Sequence, residues 1–315
     1  ARNPEDVLDE IEMLVKDYGV KYIEVVDDDF SADVERAIAI CKGIINRKLD
    51  IIWSLDNGIR LMTISEEFAE YLVKSGCRLI SVGVESGNAE IMRQVKKPLT
   101  IPGLYKKMEM MKKFPEIYIK GNFIVGFPFE EYDQLQDTYR VANEIEFDWK
   151  IFSIYSPLIG TDALNYFDSE TRRDIKYSEN NYGKGEILPD GYENIEDFQN
   201  EVYLNNLKSN FIENPNYLGK RDGHDRALKD FKRIIEQNDP DHAIAHLCLS
   251  QLYHKRNDNL QEKHKNEYLI QKNISEKWQY FCKILKLPET EHALNKLYVF
   301  DDFRSGREID GERFV

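Results

Sequence analysis

Helix-period and strand-period segments alternate through about the first 155 residues, and no other feature restricts the possible folds of this chain as much. From Asn3 the stretch NPEDVLDEIEMLVKDYG supplies an N-cap, Pro4 at the first helical position, acids in the first turn and Gly19 at the end. Val7, Leu8, Ile11, Leu14 and Val15 recur at helical spacing and give that helix one apolar stripe. The strand VKYIEVV follows and stops at Asp27, Asp28 and Asp29. The same unit then recurs: helices around SADVERAIAICKGIINRK, SEEFAEYLVKSG, IPGLYKKMEMMKKF and EYDQLQDTYRVANEIE lead to the strands DIIWSLD, RLISVGVE, EIYIKGNFIVGF and WKIFSIYSPL. Such alternation predicts a parallel α/β sheet with right-handed crossovers. The visible pattern opens on a helix, so a barrel-like arrangement would place ahead of it a strand that this sequence does not contain.

The pattern breaks at about Thr161 into a polar, Asn- and Tyr-rich stretch. Three regions are therefore expected: a barrel over 1–160, a connector packing on it over 161–222, and a helical region over 223–315. In the last, HDRALKDFKRIIEQNDPDHAIAHLCLSQLYHKRND predicts two helices separated by Asp239 and Pro240. Ala227, Phe231, Pro240, Ala245 and Tyr253 weakly resemble one tetratricopeptide-type pair, with Pro240 one position late; a stable solenoid needs about three such repeats.

Charge and cysteine usage narrow the function. A net charge of −14 argues against an electrostatic grip on nucleic acid, since Lys and Arg supply that grip. No stretch reaches the roughly 18 apolar residues of a membrane span, and nothing resembles a signal peptide. Cys41, Cys77, Cys248 and Cys282 are far apart and show no metal-binding spacing, so free thiols in a reducing cytoplasm are the expectation and no residue is assigned to a metal.

In parallel α/β folds, chemistry collects at the carboxyl ends of strands. Here those ends carry Asp27 to Asp29; Asp56 and Asn57, with Arg60 just beyond; Gly83, Glu85 and Ser86; Gly126 and Pro128; and Ser156 and Pro157. An acidic rim of this kind suits an amine, a sulfonium, ribose hydroxyls or a divalent cation, while Gly83 and Gly126 allow a flat ring close to the backbone. Each feature also has a plainer reading. Asp27 to Asp29 could cap the next helix, as could Glu85, and Arg60, Arg93, Lys96 and Lys97 could be solvated surface charges.

The stretches RNPEDVLDEIEMLVKDYGVKYIEVVDDDF, GCRLISVGVESGNAEIMRQVKK, NFIVGFPFEE and SPLIGTDAL, in that order, resemble signatures of the radical S-adenosylmethionine (SAM) superfamily, closest to the group often fused to a cobalamin-binding domain. The resemblance covers about residues 2 to 165. It implies a partial (β/α)6 TIM-like barrel, here lacking its first strand and followed by an α-helical C-terminal region. It also implies an enzyme that cleaves SAM reductively at a [4Fe-4S] cluster, with flavodoxin or ferredoxin as reductant and cobalamin as a possible further cofactor.

Carried over by resemblance, Asp27, Asp28 and Asp29 stand at the strand end that holds the methionine amino group, and Asp56 and Asn57 face the ribose. Glu85, with Ser86, contacts SAM; Lys97 occupies a basic position that pairs with its carboxylate; Ile124 and Gly126 line the adenine. Glu130 is displaced by one position from the usual spacing, and no residue is assigned to the substrate or to its chemistry. The CxxxCxxC loop of the family is absent, which points to an N-terminally truncated, inactive piece of a longer enzyme. The rival reading is a cofactor-free barrel whose helical C-terminus docks a partner protein, and a third is a Mg²⁺-dependent lyase or hydrolase using Asp27 to Asp29.

Overall fold

The computed structural model describes residues 1–156, 188–189, 191–220 and 223–300, with two short strands at Glu308–Ile309 and Glu312–Arg313. It divides into two compact units, Ala1–Asn206 and Leu207–Val315. Of the predicted connector 161–222, residues 161–187, 190 and 221–222 lie outside the described residues, as does the motif end at Pro157.

In the first unit, α1 (Pro4–Lys16) leads to β1 (Tyr22–Glu24), α2 (Val34–Asn46) to β2 (Ile52–Leu55), and α3 (Glu66–Lys74) to β3 (Cys77–Glu85). Two helices, α4 (Ala89–Gln94) and α5 (Ile101–Met111), then precede β4 (Tyr118–Val125), and α6 (Tyr132–Glu144) precedes β5 (Trp149–Ile154). All strand pairs are parallel and the strands lie in sequence order, β1-β2-β3-β4-β5. Strand order that never reverses, with a helix in every crossover, is the arc of a partial β/α barrel rather than a doubly wound sheet.

Local chemistry sets the element ends. Asn3, Asp33, Ser65 and Thr100 each accept a backbone N–H in the first turn of the helix they precede, and Glu131 forms a reciprocal capping box with Gln134. Asp33, not the Asp27 to Asp29 run, therefore caps α2. Likewise Asn88, not Glu85, caps α4, its side chain accepting from the N–H groups of Glu90 and Ile91.

Strand alternation then sorts the faces. On β4, Ile119, Gly121, Phe123 and Val125 are buried towards the helices, and the residues between them are half-buried on the other face. The core between sheet and helices includes Leu8, Ile40, Trp53, Phe68, Ile80, Val82 and Phe123, joined by Phe198 and Val202 of α7 (Ile195–Leu207). The indole N–H of Trp53 donates to the Ser75 carbonyl at 3.0 Å, so this buried ring leaves no polar atom unpaired.

The second unit is built around the helix Ala243–Lys255, with His224–Arg233 and Leu260–Ile274 packed against it. Every residue from Ala243 to Tyr253 is buried, which explains why its sequence lacks an amphipathic stripe. No helix among the described residues is long and apolar enough to cross a membrane.

Gly76, between α3 and β3, has φ +94°, and a Cβ there would stand 2.2 Å from the Ile51 carbonyl oxygen. Gly76→Ala is expected to cost at least about 1–3 kcal/mol of stability, read from urea unfolding.

Candidate functional site

A cleft of about 470 Å³ opens at the carboxyl ends of β1, β2 and β3. Asp28 and Asp29 border it after β1, the segment 57–63 after β2, Gly83 and Glu85 on β3, and the Lys97–Leu99 segment opposite. Its size falls within the range of small-molecule sites, about 300–1,000 Å³.

Glu85 shapes the floor. The β3–β4 register shifts between Gly83 and Glu85, and Glu85 takes φ +71°, a left-handed conformation unusual for a residue with a side chain. Its carboxylate turns back along the strand and accepts from Lys97 Nζ at 2.9 Å. A Cβ on Gly83 would lie 2.7 Å from Glu85 Oε1 and 3.0 Å from Lys97 Nζ, so an added side chain there would push against the tips of this pair.

Asp29 is fixed as firmly. Its Oδ1 accepts from the Ser31 N–H at 3.1 Å and hydroxyl at 2.8 Å, while Arg60 Nε stands 2.6 Å from Oδ2. Asp28 is exposed and carries no ion pair among the described residues. Asn57 borders the cleft and donates through Nδ2 to the Asp27 carbonyl at 3.1 Å.

Of the ten residues singled out in the sequence, Asp28, Asp29, Asn57, Glu85 and Lys97 meet at the cleft and the other five do not. The Asp27 carboxylate faces Arg36 at 3.9 Å. Asp56 is held by Lys120 Nζ at 2.7 and 2.9 Å and by the Ser81 hydroxyl at 2.7 Å. Ser86 is fully buried; its hydroxyl accepts from the Asn88 N–H and pairs with Thr138, both at 3.0 Å. Ile124 is half-buried on β4, and Gly126, at φ +81°, packs under the Phe198 ring.

The acidic rim inferred from sequence is also corrected. Asp27, Asp29, Asp56 and Glu85 each face a cation, namely Arg36, Arg60, Lys120 and Lys97, so the rim carries both signs of charge, with Arg60 and Lys97 on the cleft itself. Arg60 reads as a surface charge in the sequence, and only its position just after a strand-end Asp-Asn-Gly marked it.

Glu130 lies behind this rim with 3% of its surface exposed. Its Oε2 accepts from the N–H groups of Gly126 at 2.6 Å and Phe127 at 3.3 Å, whereas its buried Oε1 has no hydrogen-bond partner. Burial outweighs those two donors and pushes the carboxyl up to about 7.

A [4Fe-4S] cluster does not fit the cysteines of this chain. All four are buried free thiols, and burial pushes Cys41 and Cys282 up to about 11 and Cys77 and Cys248 higher still, away from the thiolate form that iron requires. No group of three or more His, Cys, Asp or Glu suited to a metal ion occurs among the described residues.

Comparison with protein families matches residues 1–142 to the Radical SAM superfamily. This part of the chain is therefore similar to that superfamily. The chain is 32% identical over 162 residues to the uncharacterized methyltransferase PH0819 of Pyrococcus horikoshii, a match covering 51% of this chain and 35% of the relative. It is 27% identical over 156 residues to the anaerobic magnesium-protoporphyrin IX monomethyl ester cyclase of Rubrivivax gelatinosus, covering 50% of this chain and 28% of the relative. The chain thus spans about a third of the length of these relatives. Among solved structures it is similar to the cobalamin-dependent SAM radical enzyme OxsB, with TM-score 0.46 and 13% identity over 95% of this chain and 54% of that one. It is also similar to the radical SAM methyltransferase TsrM of Kitasatospora setae, with TM-score 0.44 and 18% identity over 49% of this chain and 31% of that one.

The Glu130 carboxyl sets a pH dependence. Its folded-state pKa lies above the ordinary value of 4.5, so the stability it contributes is fully present below about 4.5 and is lost as pH rises through about 7. The wild type is expected to lose about 3 kcal/mol over that window relative to Glu130→Gln, whose amide cannot ionise, measured by urea unfolding at pH 5 and pH 8.

Proposed function

We propose that this chain is the SAM-binding part of a radical SAM enzyme, with SAM held in the cleft at the ends of β1, β2 and β3. The observation that carries this reading is the Glu85–Lys97 pair folded over Gly83, which sets an acid and a base side by side on the cleft floor. SAM has an ammonium and a carboxylate on one carbon, beside a sulfonium and a ribose. Glu85 and Asp28 suit the ammonium and the sulfonium, Lys97 and Arg60 the carboxylate, and Asn57 the ribose hydroxyls. Fixed acid–base pairs would favour such a zwitterion over a ligand of either single charge.

When bound together, a reduced cluster and SAM supply a 5′-deoxyadenosyl radical. The residues described here are assigned to SAM alone, because their cysteines do not fit the cluster. The relatives include a methyltransferase and a cyclase, so the assignment extends to the cofactor and not to a substrate.

Isothermal titration of the full chain tests the site. SAM binding is expected in the wild type, weakened about tenfold in Glu85→Gln and in Asp28→Asn, and unchanged in Arg93→Ala, whose side chain is exposed outside the cleft. Equal affinity in wild type, Glu85→Gln and Asp28→Asn would remove the assignment, as would no binding to the wild type.

A further inference from the structure

Lys120 does not border the cleft, yet it reaches across a strand to the root of one cleft wall. It sits on β4 level with Ser81 of β3, and its ammonium passes to Asp56 just beyond β2. The contact is two-pronged, at 2.9 Å to Oδ1 and 2.7 Å to Oδ2, and the Ser81 hydroxyl donates to the same Oδ1 at 2.7 Å. Asp56 and Lys120 are 33% and 18% exposed, so the pair is only partly screened by water.

Position gives this pair its consequence. Asp56 immediately precedes the segment 57–63, which forms a whole wall of the cleft and carries Asn57 and Arg60. The Ile59 N–H donates to the Ser81 carbonyl at 3.0 Å, so Ser81 holds that segment through its backbone while holding Asp56 through its side chain. Lys120 closes the arrangement from the next strand.

We propose that Lys120 is a positioning residue: by fixing the Asp56 carboxylate it sets the path on which the chain leaves β2, and so places Asn57 and Arg60 in the cleft. Asp56 then serves the site through Lys120 rather than by touching a ligand. Removing the cation alone takes the two-pronged contact from a part-buried carboxylate, which turns towards water and carries residue 57 with it. Removing both charges leaves no such pull, so the two substitutions are coupled rather than additive.

Only the affinity part of the test rests on the proposed SAM site; the other readout is independent of any ligand. Hydrogen–deuterium exchange of the full chain, with SAM titration alongside, would be measured for wild type, Lys120→Met, Lys120→Arg and the double variant Asp56→Asn/Lys120→Met. Lys120→Met is expected to speed exchange of the 58–63 amides about tenfold, leave the amides of β3 and β4 unchanged, and weaken SAM about fivefold. Lys120→Arg restores both readouts, and the double variant is milder than Lys120→Met.

Unchanged exchange at 58–63 in Lys120→Met would overturn the proposal, and so would faster exchange spread evenly over all five strands, which marks a general loss of stability. Should Lys120→Met fail to fold, Ser81→Ala decides: faster exchange confined to 58–63 supports the proposal, and no change there overturns it. A wild type that does not bind SAM defeats the site assignment while leaving the exchange result to decide the role of Lys120.

Discussion

The turn at Glu85 is the constraint on which the cleft depends. A residue with a side chain held at φ +71° costs on the order of 1–3 kcal/mol, and the surroundings must hold it there. Three features do so. The register shift after Gly83 releases the strand, the bare Cα of Gly83 makes room for the returning carboxylate, and Lys97 takes that carboxylate at 2.9 Å. Behind the turn, buried Ser86 and Gly87 are bonded to Thr138 of α6, so the strain is braced against the helix layer.

Charge pairing extends the same design around the rim. A cation beside each carboxylate gives it a defined direction through a charge-assisted contact. Arg60 serves Asp29 and Lys97 serves Glu85, with both pairs on the cleft, while Lys120 serves Asp56 beneath it. Glu130 shows the contrast. Buried with two backbone donors and no cation, it is pushed towards neutrality.

Most of the barrel was legible because its two periods differ: stripes at helical spacing in α1 and α3 cannot be mistaken for the apolar runs of β3 and β4. The short α4 was missed because six residues hold too little periodicity, although Asn88 with Glu90 behind it was a readable start signal. The strand ends with Asp29, Asn57 and Glu85 stood out in the sequence because chemistry gathers there in parallel sheets, and the three border one cleft. Their pairing was not, because Lys120 lies 64 residues from Asp56 and the sequence gives no register between them. For the same reason Ser86 read as a ligand contact when it is a buried brace, and a rim that looked acidic is closer to balanced.

The most direct measurement is a crystal structure of the chain grown with S-adenosylhomocysteine, which keeps the nucleoside and amino-acid ends of SAM. The expected result is density for both ends against Gly83, with the amino-acid end within hydrogen-bond distance of Glu85 or Asp28 and of Lys97. Density seated elsewhere on the domain, with the Glu85–Lys97 pair facing only water, would contradict the assignment of this cleft.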